Sequence, residues 1–277
     1  MNLSKMKEPF IKFRRYSKER LGLPNTLLLL SFFTGVFGAT AAIVVKNLLH
    51  FTVSSLHNAF PDAQQNYFYL AFPLMGILLT IFFVNRFVKD HISHGVSIVL
   101  KAISKSNGNL RSHNMYSSIV ASSITVGFGG SVGLEAPMVL TGSAIGSNLA
   151  RLFNLNAKNT TLLLACGSTA AIAAVFKAPV AAIVFAIEVL MIDFTTASIL
   201  PLLVSAATGT VLSMLFLGKG VMLDINSIVP FTISIFPLYI VLGVFTAAVS
   251  IYFLRVSRGV DQFFGKIKQP YLKGIIG

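Results

Sequence analysis

Carboxylates are scarce in this 277-residue chain: nine Asp and Glu stand against 22 Lys and Arg, and charged residues of both signs make up only 11%. With 55% hydrophobic residues and a mean hydropathy of +0.78, an ordinary water-facing surface is excluded. Cysteine is nearly absent as well. The single Cys166 excludes an intrachain disulfide and any cysteine-cluster metal site, and its Ala/Leu/Gly-rich surroundings read as those of a small buried side chain. Strand patterns are missing too. What remains is an all-α chain that lives in lipid.

Several apolar runs are long enough to cross about 30 Å of hydrocarbon, for which a helix needs about 20 residues, and the clearest is 26–45. Just before it, Lys5, Lys7, Lys12, Arg14, Arg15, Lys18 and Arg20 face only Glu8 and Glu19. The positive-inside rule therefore predicts a cytoplasmic N-terminus in a multi-pass protein of the cell membrane. A secretory signal peptide is the rival, with Gly38, Ala39, Ala41 and Ala42 as a mimic of a cleavage site, but the basic region is too long and the apolar run too extended. The net charge of +13 does not imply nucleic acid, because the basic residues sit in the tail and in short connections. That placement sets topology and attracts anionic membrane lipid.

A second span is expected at 67–88, after a polar outer loop at 61–65. Next come shorter, broken pieces at 95–103, 115–126, 135–152, 162–176 and 178–191, which read as too short for conventional full spans. Longer segments return at 197–217 and 233–256, the last leading into Arg255, Arg258, Lys266 and Lys268. The division expected is a basic segment at 1–22, a membrane unit at 23–217 and the start of another at 218–277. Because a new apolar segment begins just before Gly277, the chain reads as a partial coding sequence.

Short helices ending at bilayer depth leave backbone N–H groups that lipid cannot satisfy, so such breaks belong where they line a cavity or bind a ligand. A helix N-terminus carries about half a positive charge and presents free amides, which suits an anion. The broken pieces therefore favour transport of something small and charged.

The most informative stretch is Gly127-Phe-Gly-Gly-Ser-Val-Gly-Leu-Glu-Ala-Pro137. Its four glycines let the backbone turn and approach a ligand closely, and Pro137 suits the first turn of a new helix. A helix N-terminus aimed into the membrane is expected here, with Glu135 at its mouth. Only Glu135 and Glu188 among the acids lie within apolar segments, where insertion of a charge costs about 2.5–3.5 kcal/mol. Glu135 has a bland reading as a first-turn acid on the macrodipole, and for Glu188 structural and functional readings stand even. A carboxylate beside an anion-binding helix N-terminus competes with the anion for the same amides. It can act as a gate that protonation releases.

Here the sequence resembles a known family. Gly133-Leu-Glu-Ala-Pro137 is similar to the GxEGP motif of the CLC chloride channels and chloride/proton exchangers, with Ala136 in place of the second glycine. Thr141-Gly-Ser-Ala-Ile-Gly-Ser-Asn-Leu-Ala-Arg151 and the run from Ala170 to Glu188 resemble the family's next two segments. The resemblance implies a bundle of tilted and broken transmembrane helices comprising the family's first inverted repeat plus the start of the second. It implies a homodimer, chloride or a similar small anion as the transported ion, and no metal, cofactor or enzymatic activity. Glu135 becomes the gate. His94, Gly95, Gly133, Leu134, Glu135 and Ala136 become the wall of the chloride path, shaped by Gly130, Ser131 and Pro137. The family's GSGIP motif survives only loosely as Ser93-His-Gly-Val-Ser97, with His94 where the chloride-binding serine is usual. His94 also has a bland reading as a helix cap or water-facing residue; as a ligand it would leave pH response open.

In the family's exchangers a second glutamate passes the proton, and it falls at Val189, directly after Glu188. The resemblance thus favours a channel over an exchanger, with Glu188 or a water path as substitute in the latter. The family's GxFxP motif and pore tyrosine have no counterpart here, so the chain alone is not expected to conduct normally. Two readings from other classes compete. Gly129-Gly-Ser131-Val-Gly133 formally matches the GxSxG elbow of serine hydrolases, with His94 or His113 as base, but that motif needs a preceding strand and residues 115–126 read as helix. Gly142 and Gly146 form a GxxxG pattern that would suit a non-conducting membrane scaffold, which leaves Glu135 unexplained.

Overall fold

The computed structural model describes residues 22–59, 71–88, 95–192, 195–218 and 233–267, with positions 220, 269, 272 and 274. The described residues are helical and contain no strand. In chain order the helices are α1 (Gly22–Ala59), α2 (Phe72–Phe83, extended by a π-helical turn Val84–Val88), α3 (Gly95–Lys105), α4 (Ser117–Gly127, preceded by a 3-10 turn Ser112–Met115), α5 (Glu135–Leu152), α6 (Ala157–Phe176), α7 (Pro179–Val189), α8 (Thr196–Leu217) and α9 (Phe236–Gly265). Four of them, α1, α6, α8 and α9, are long and apolar enough to cross a membrane, while α2, α4 and α7 are shorter apolar helices. This is a multi-pass membrane protein. It divides into two units, Met1–Met222 and Leu223–Gly277.

The first unit is built on close helix contacts between small residues, because in lipid helices associate by packing rather than by hydrophobic exclusion. A Cβ placed on Gly142 of α5 would collide with the Gly167 carbonyl of α6, and one on Gly146 with the Leu163 carbonyl. Gly38 of α1 is equally tight, its Cβ position lying 3.0 Å from Ala170 Cβ, and Gly209 of α8 faces the Ala170 carbonyl at 2.6 Å. Four helices thus meet around the middle of α6, which is buried almost throughout its length. The GxxxG pair Gly142 and Gly146 thus packs α5 against α6 within the chain.

Hydroxyls stitch the remaining joints. Ser147 Oγ donates to the Gly108 carbonyl at 2.6 Å and accepts from Leu110 N–H at 2.9 Å, fixing the loop after α3 to α5. Thr80 and Thr125 pair at 2.9 Å between α2 and α4. Ser213 Oγ donates to the Ala174 carbonyl at 2.5 Å between α8 and α6.

The contacts also fix directions. Leu27 and Leu30 pack with Leu163, Gly38 with Ala170, and Val45 with Val175, so α1 and α6 run the same way. The pairings Gly142–Gly167 and Gly146–Leu163 make α5 antiparallel to α6. The N-terminus of α5 therefore lies level with the C-terminal end of α6. In the second unit, α9 has no buried residue and carries Phe, Leu, Val and Tyr side chains on an exposed surface.

Candidate anion site at a helix N-terminus

The segment between α4 and α5 is shaped by three backbone bonds. Phe128 N–H donates to the Ile124 carbonyl, Gly129 N–H to Val126 and Gly130 N–H to Thr125, at 3.1, 2.9 and 2.9 Å. Gly129 sits at φ 88°, in the left-handed region that glycine alone adopts freely. Beyond this turn Ser131, Val132 and Gly133 are exposed, and α5 begins at Glu135 with no side-chain cap on its N-terminus.

The first bond into α5 is Met138 N–H to the Leu134 carbonyl, at 3.0 Å. Pro137 has no N–H, so its place in the first turn leaves no orphan donor. The amides of Gly133, Leu134, Glu135 and Ala136 donate to no backbone carbonyl among the described residues. They form an uncapped positive helix end. Glu135 curls back on this end: its Oε2 occupies the space that a Cβ on Gly133 would need. Only glycine at 133 leaves room for the carboxylate there. A negative charge at this place is favoured by the open amides and the helix dipole.

The second wall is Gly95, the first residue of α3, which is buried. A Cβ there would run into the Ala136 carbonyl, lying 3.0 Å from its carbon and 3.3 Å from Leu140 Cβ. Two helix N-termini, those of α3 and α5, are thereby brought together. His94, expected just before this contact, lies outside the described residues, as does the polar loop at 61–65. Glu188 and Val189 close α7, Glu188 exposed and Val189 half-buried. They stand about 14 Å along the helix axis from Pro179, and neither belongs to the Gly95–Ala136 contact.

Ser131 follows helix α4 and an irregular turn, not a strand, so the hydrolase geometry is absent. The residue that sequence reasoning passed over is Lys177. Lys177 is only 7% exposed and adopts φ 55° between α6 and α7. Its Nζ donates to the carbonyls of Gly218 and Gly220 beyond the end of α8. The available signal was a lysine standing inside the apolar run from Ala170 to Glu188.

The model of the voltage gated chloride channel family matches residues 75–277. The H(+)/Cl(-) exchange transporter ClcA of Cronobacter sakazakii is 26% identical over 254 residues, covering 88% of this chain and 54% of its own length. Among solved structures, a CLC-type fluoride/proton antiporter aligns with TM-score 0.76 and 25% identity over 92% of this chain and 63% of its own. A slow cyanobacterial Cl-/H+ antiporter aligns with TM-score 0.73 and 20% identity over 91% of this chain and 60% of its own. The chain thus spans little more than half the length of the exchange transporter and about three fifths of the two antiporters.

Proposed function

This chain belongs to the voltage gated chloride channel family, and from that premise we propose that it forms one half of a chloride pathway gated by Glu135. The observation that carries the proposal is the Glu135 carboxylate lying over Gly133 beside the unbonded amides of α5. Those amides are the natural seat of a small anion. While the carboxylate holds the seat an anion is excluded; protonation or withdrawal of the side chain opens it. Gly95 and Ala136, at the meeting of the two helix starts, form the inner wall, with Leu134 beside them and His94 preceding Gly95.

Gly130 and Ser131 shape the turn that aims this end, and Pro137 sets its first turn. The N-terminus is cytoplasmic, by the run of seven basic residues before α1. The working protein is a homodimer in the cell membrane. Transport is passive, since Val189 carries no titratable group where exchangers of the family have their inner glutamate. The second reading, chloride/proton exchange, is favoured by one observation: Glu188 next door is exposed and available to carry a proton.

The test is a reversal-potential measurement on the assembled protein in liposomes under opposed chloride and proton gradients. A potential that follows chloride alone supports the channel; one displaced toward the proton gradient supports the exchanger. In the same assay Glu135→Gln is expected to raise flux and flatten its dependence on external pH. An unchanged pH profile would rule out the gate.

A further inference from the structure

We propose that Thr80 is a positioning residue of the anion seat: through its hydroxyl pair with Thr125 it fixes the glycine turn that carries the first open amides of α5. The inference rests on the reading of that helix end as an anion seat, and it identifies what holds the seat in place.

Thr80 Oγ1 of α2 lies 2.9 Å from Thr125 Oγ1 of α4, and Thr125 Oγ1 donates to the Ala121 carbonyl one turn back at 3.0 Å. With the Thr125 hydrogen so used, its oxygen accepts the hydrogen of Thr80. The Thr125 carbonyl receives Gly130 N–H at 2.9 Å, and the Gly130 carbonyl receives Val132 N–H at 2.9 Å. Next in the chain is Gly133, whose amide opens the seat and over which Oε2 of Glu135 lies. A hydroxyl on α2 is thus linked through successive hydrogen bonds to the residue just before the seat.

The fit is closest where the turn meets Thr125. A Cβ on Gly130 would stand 2.7 Å from the Thr125 carbonyl oxygen and 2.8 Å from Thr125 Cγ2, so the two residues move together. Residues 131–133 are exposed, and among the described residues the Gly130–Val132 bond is the only backbone hydrogen bond they make. Their placement is inherited from Gly130 on one side and from Leu134, buried in an apolar cluster, on the other.

Packing alone does not require the Thr80 hydroxyl. Helix α2 already meets the end of α4 through Gly76, where a Cβ would lie 2.6 Å from Phe128 Cβ, and Pro73 approaches Gly129. Valine has the branched shape of threonine, so Thr80→Val keeps these contacts and removes only the bond. The last turn of α4 then loses its polar tie to α2. Amides that are no longer held in place bind an ion less well, because binding must then order them.

Bromide titration by calorimetry tests this in the Glu135→Gln background, where the carboxylate no longer competes. Adding Thr80→Val is expected to weaken bromide binding about 2- to 10-fold, the scale of one neutral hydrogen bond. Thr80→Ser keeps the hydroxyl and is expected to bind like its parent. Hydrogen exchange supplies a readout that needs no ion: the Gly130 and Val132 amides are expected to exchange faster in Thr80→Val, with the protection of α6 unchanged. Equal bromide affinity or unchanged exchange in Thr80→Val overturns the inference. So does an equal loss in Thr80→Ser, since packing would then be the cause. If Thr80→Val does not fold, Thr125→Val carries the same test from the other side of the pair. Should Glu135→Gln itself bind no bromide, the seat reading falls and this inference with it; if it binds and Thr80→Val changes nothing, only the role of Thr80 is refuted.

Discussion

Gly95 and Ala136 touch backbone to backbone, so the beginning of α3 is seated on the first turn of α5 with no side chain between them. Replacing Gly95 by Ala puts a methyl group where the Ala136 carbonyl stands. Backbone on both sides has little freedom to yield, and a loss of about 1–3 kcal/mol is expected from overpacking. Unfolding in mixed detergent and SDS, followed by circular dichroism, measures it. A shift within experimental error would show that the two starts are not in contact.

Glu135 reaches Gly133 because its side chain is long enough to fold back over one residue. Aspartate is one methylene shorter and does not cover the same space. Glu135→Asp is therefore expected to bind bromide at the helix tip more tightly than wild type and less tightly than Glu135→Gln. Calorimetric titration of the three proteins orders them. Equal affinities would mean that the carboxylate does not compete for the amides.

The glycine seam between α5 and α6 makes a graded prediction. Gly142→Ala and Gly167→Ala each press a methyl group into an opposing carbonyl and are expected to lose about 1–3 kcal/mol. Gly243→Ala and Gly259→Ala on α9 meet nothing within 4 Å and are expected to gain up to about 1 kcal/mol from helix propensity. The same unfolding assay reads both pairs, and loss of the contrast would contradict the packing.

Cys166 is fully buried in the middle of α6. Its thiol is expected to resist N-ethylmaleimide in the folded protein and to gain one adduct by mass spectrometry after unfolding in SDS. Rapid labelling without SDS would show that α6 is not enclosed.

Several element boundaries were legible because they are written in chemistry local to the chain. Glu135 to Leu152 was expected as one helix and is one, since four glycines, a proline and a hydrophobic run mark its start. The expected segment 178–191 corresponds to Pro179–Val189, and 197–217 to Thr196–Leu217. Hydrophobicity alone marks the first helix only over 26–45, short of its observed length. Lys46, His50, Ser54 and His57 continue it as Gly22–Ala59 at mixed polarity. At about 57 Å its length exceeds the hydrocarbon thickness, so part of it lies beyond that layer or is strongly tilted.

Within the site, the glycine turn and the helix start followed from Gly129, Gly130 and Pro137. The contact of Gly95 with Ala136 did not, since residues 41 positions apart carry no mutual signal in a single sequence. Lys177 was hidden for a related reason: a lysine between two apolar helices reads as a solvent-facing connection. Only the fold reveals that the end of α8 closes over it.

The crowding of α1, α5, α6 and α8 through Gly38, Gly142, Gly146, Gly167 and Gly209 has a mechanical consequence. Interlocked main chains have few alternative arrangements, and sliding one past another by a fraction of an ångström drives a carbonyl into its neighbour. The slab behind Glu135 is thus rigid on the scale of an ion's radius. If Glu135 is the gate proposed above, its opening and closing falls to torsions of one flexible acid, a movement of picoseconds to nanoseconds rather than the slower swing of whole rods.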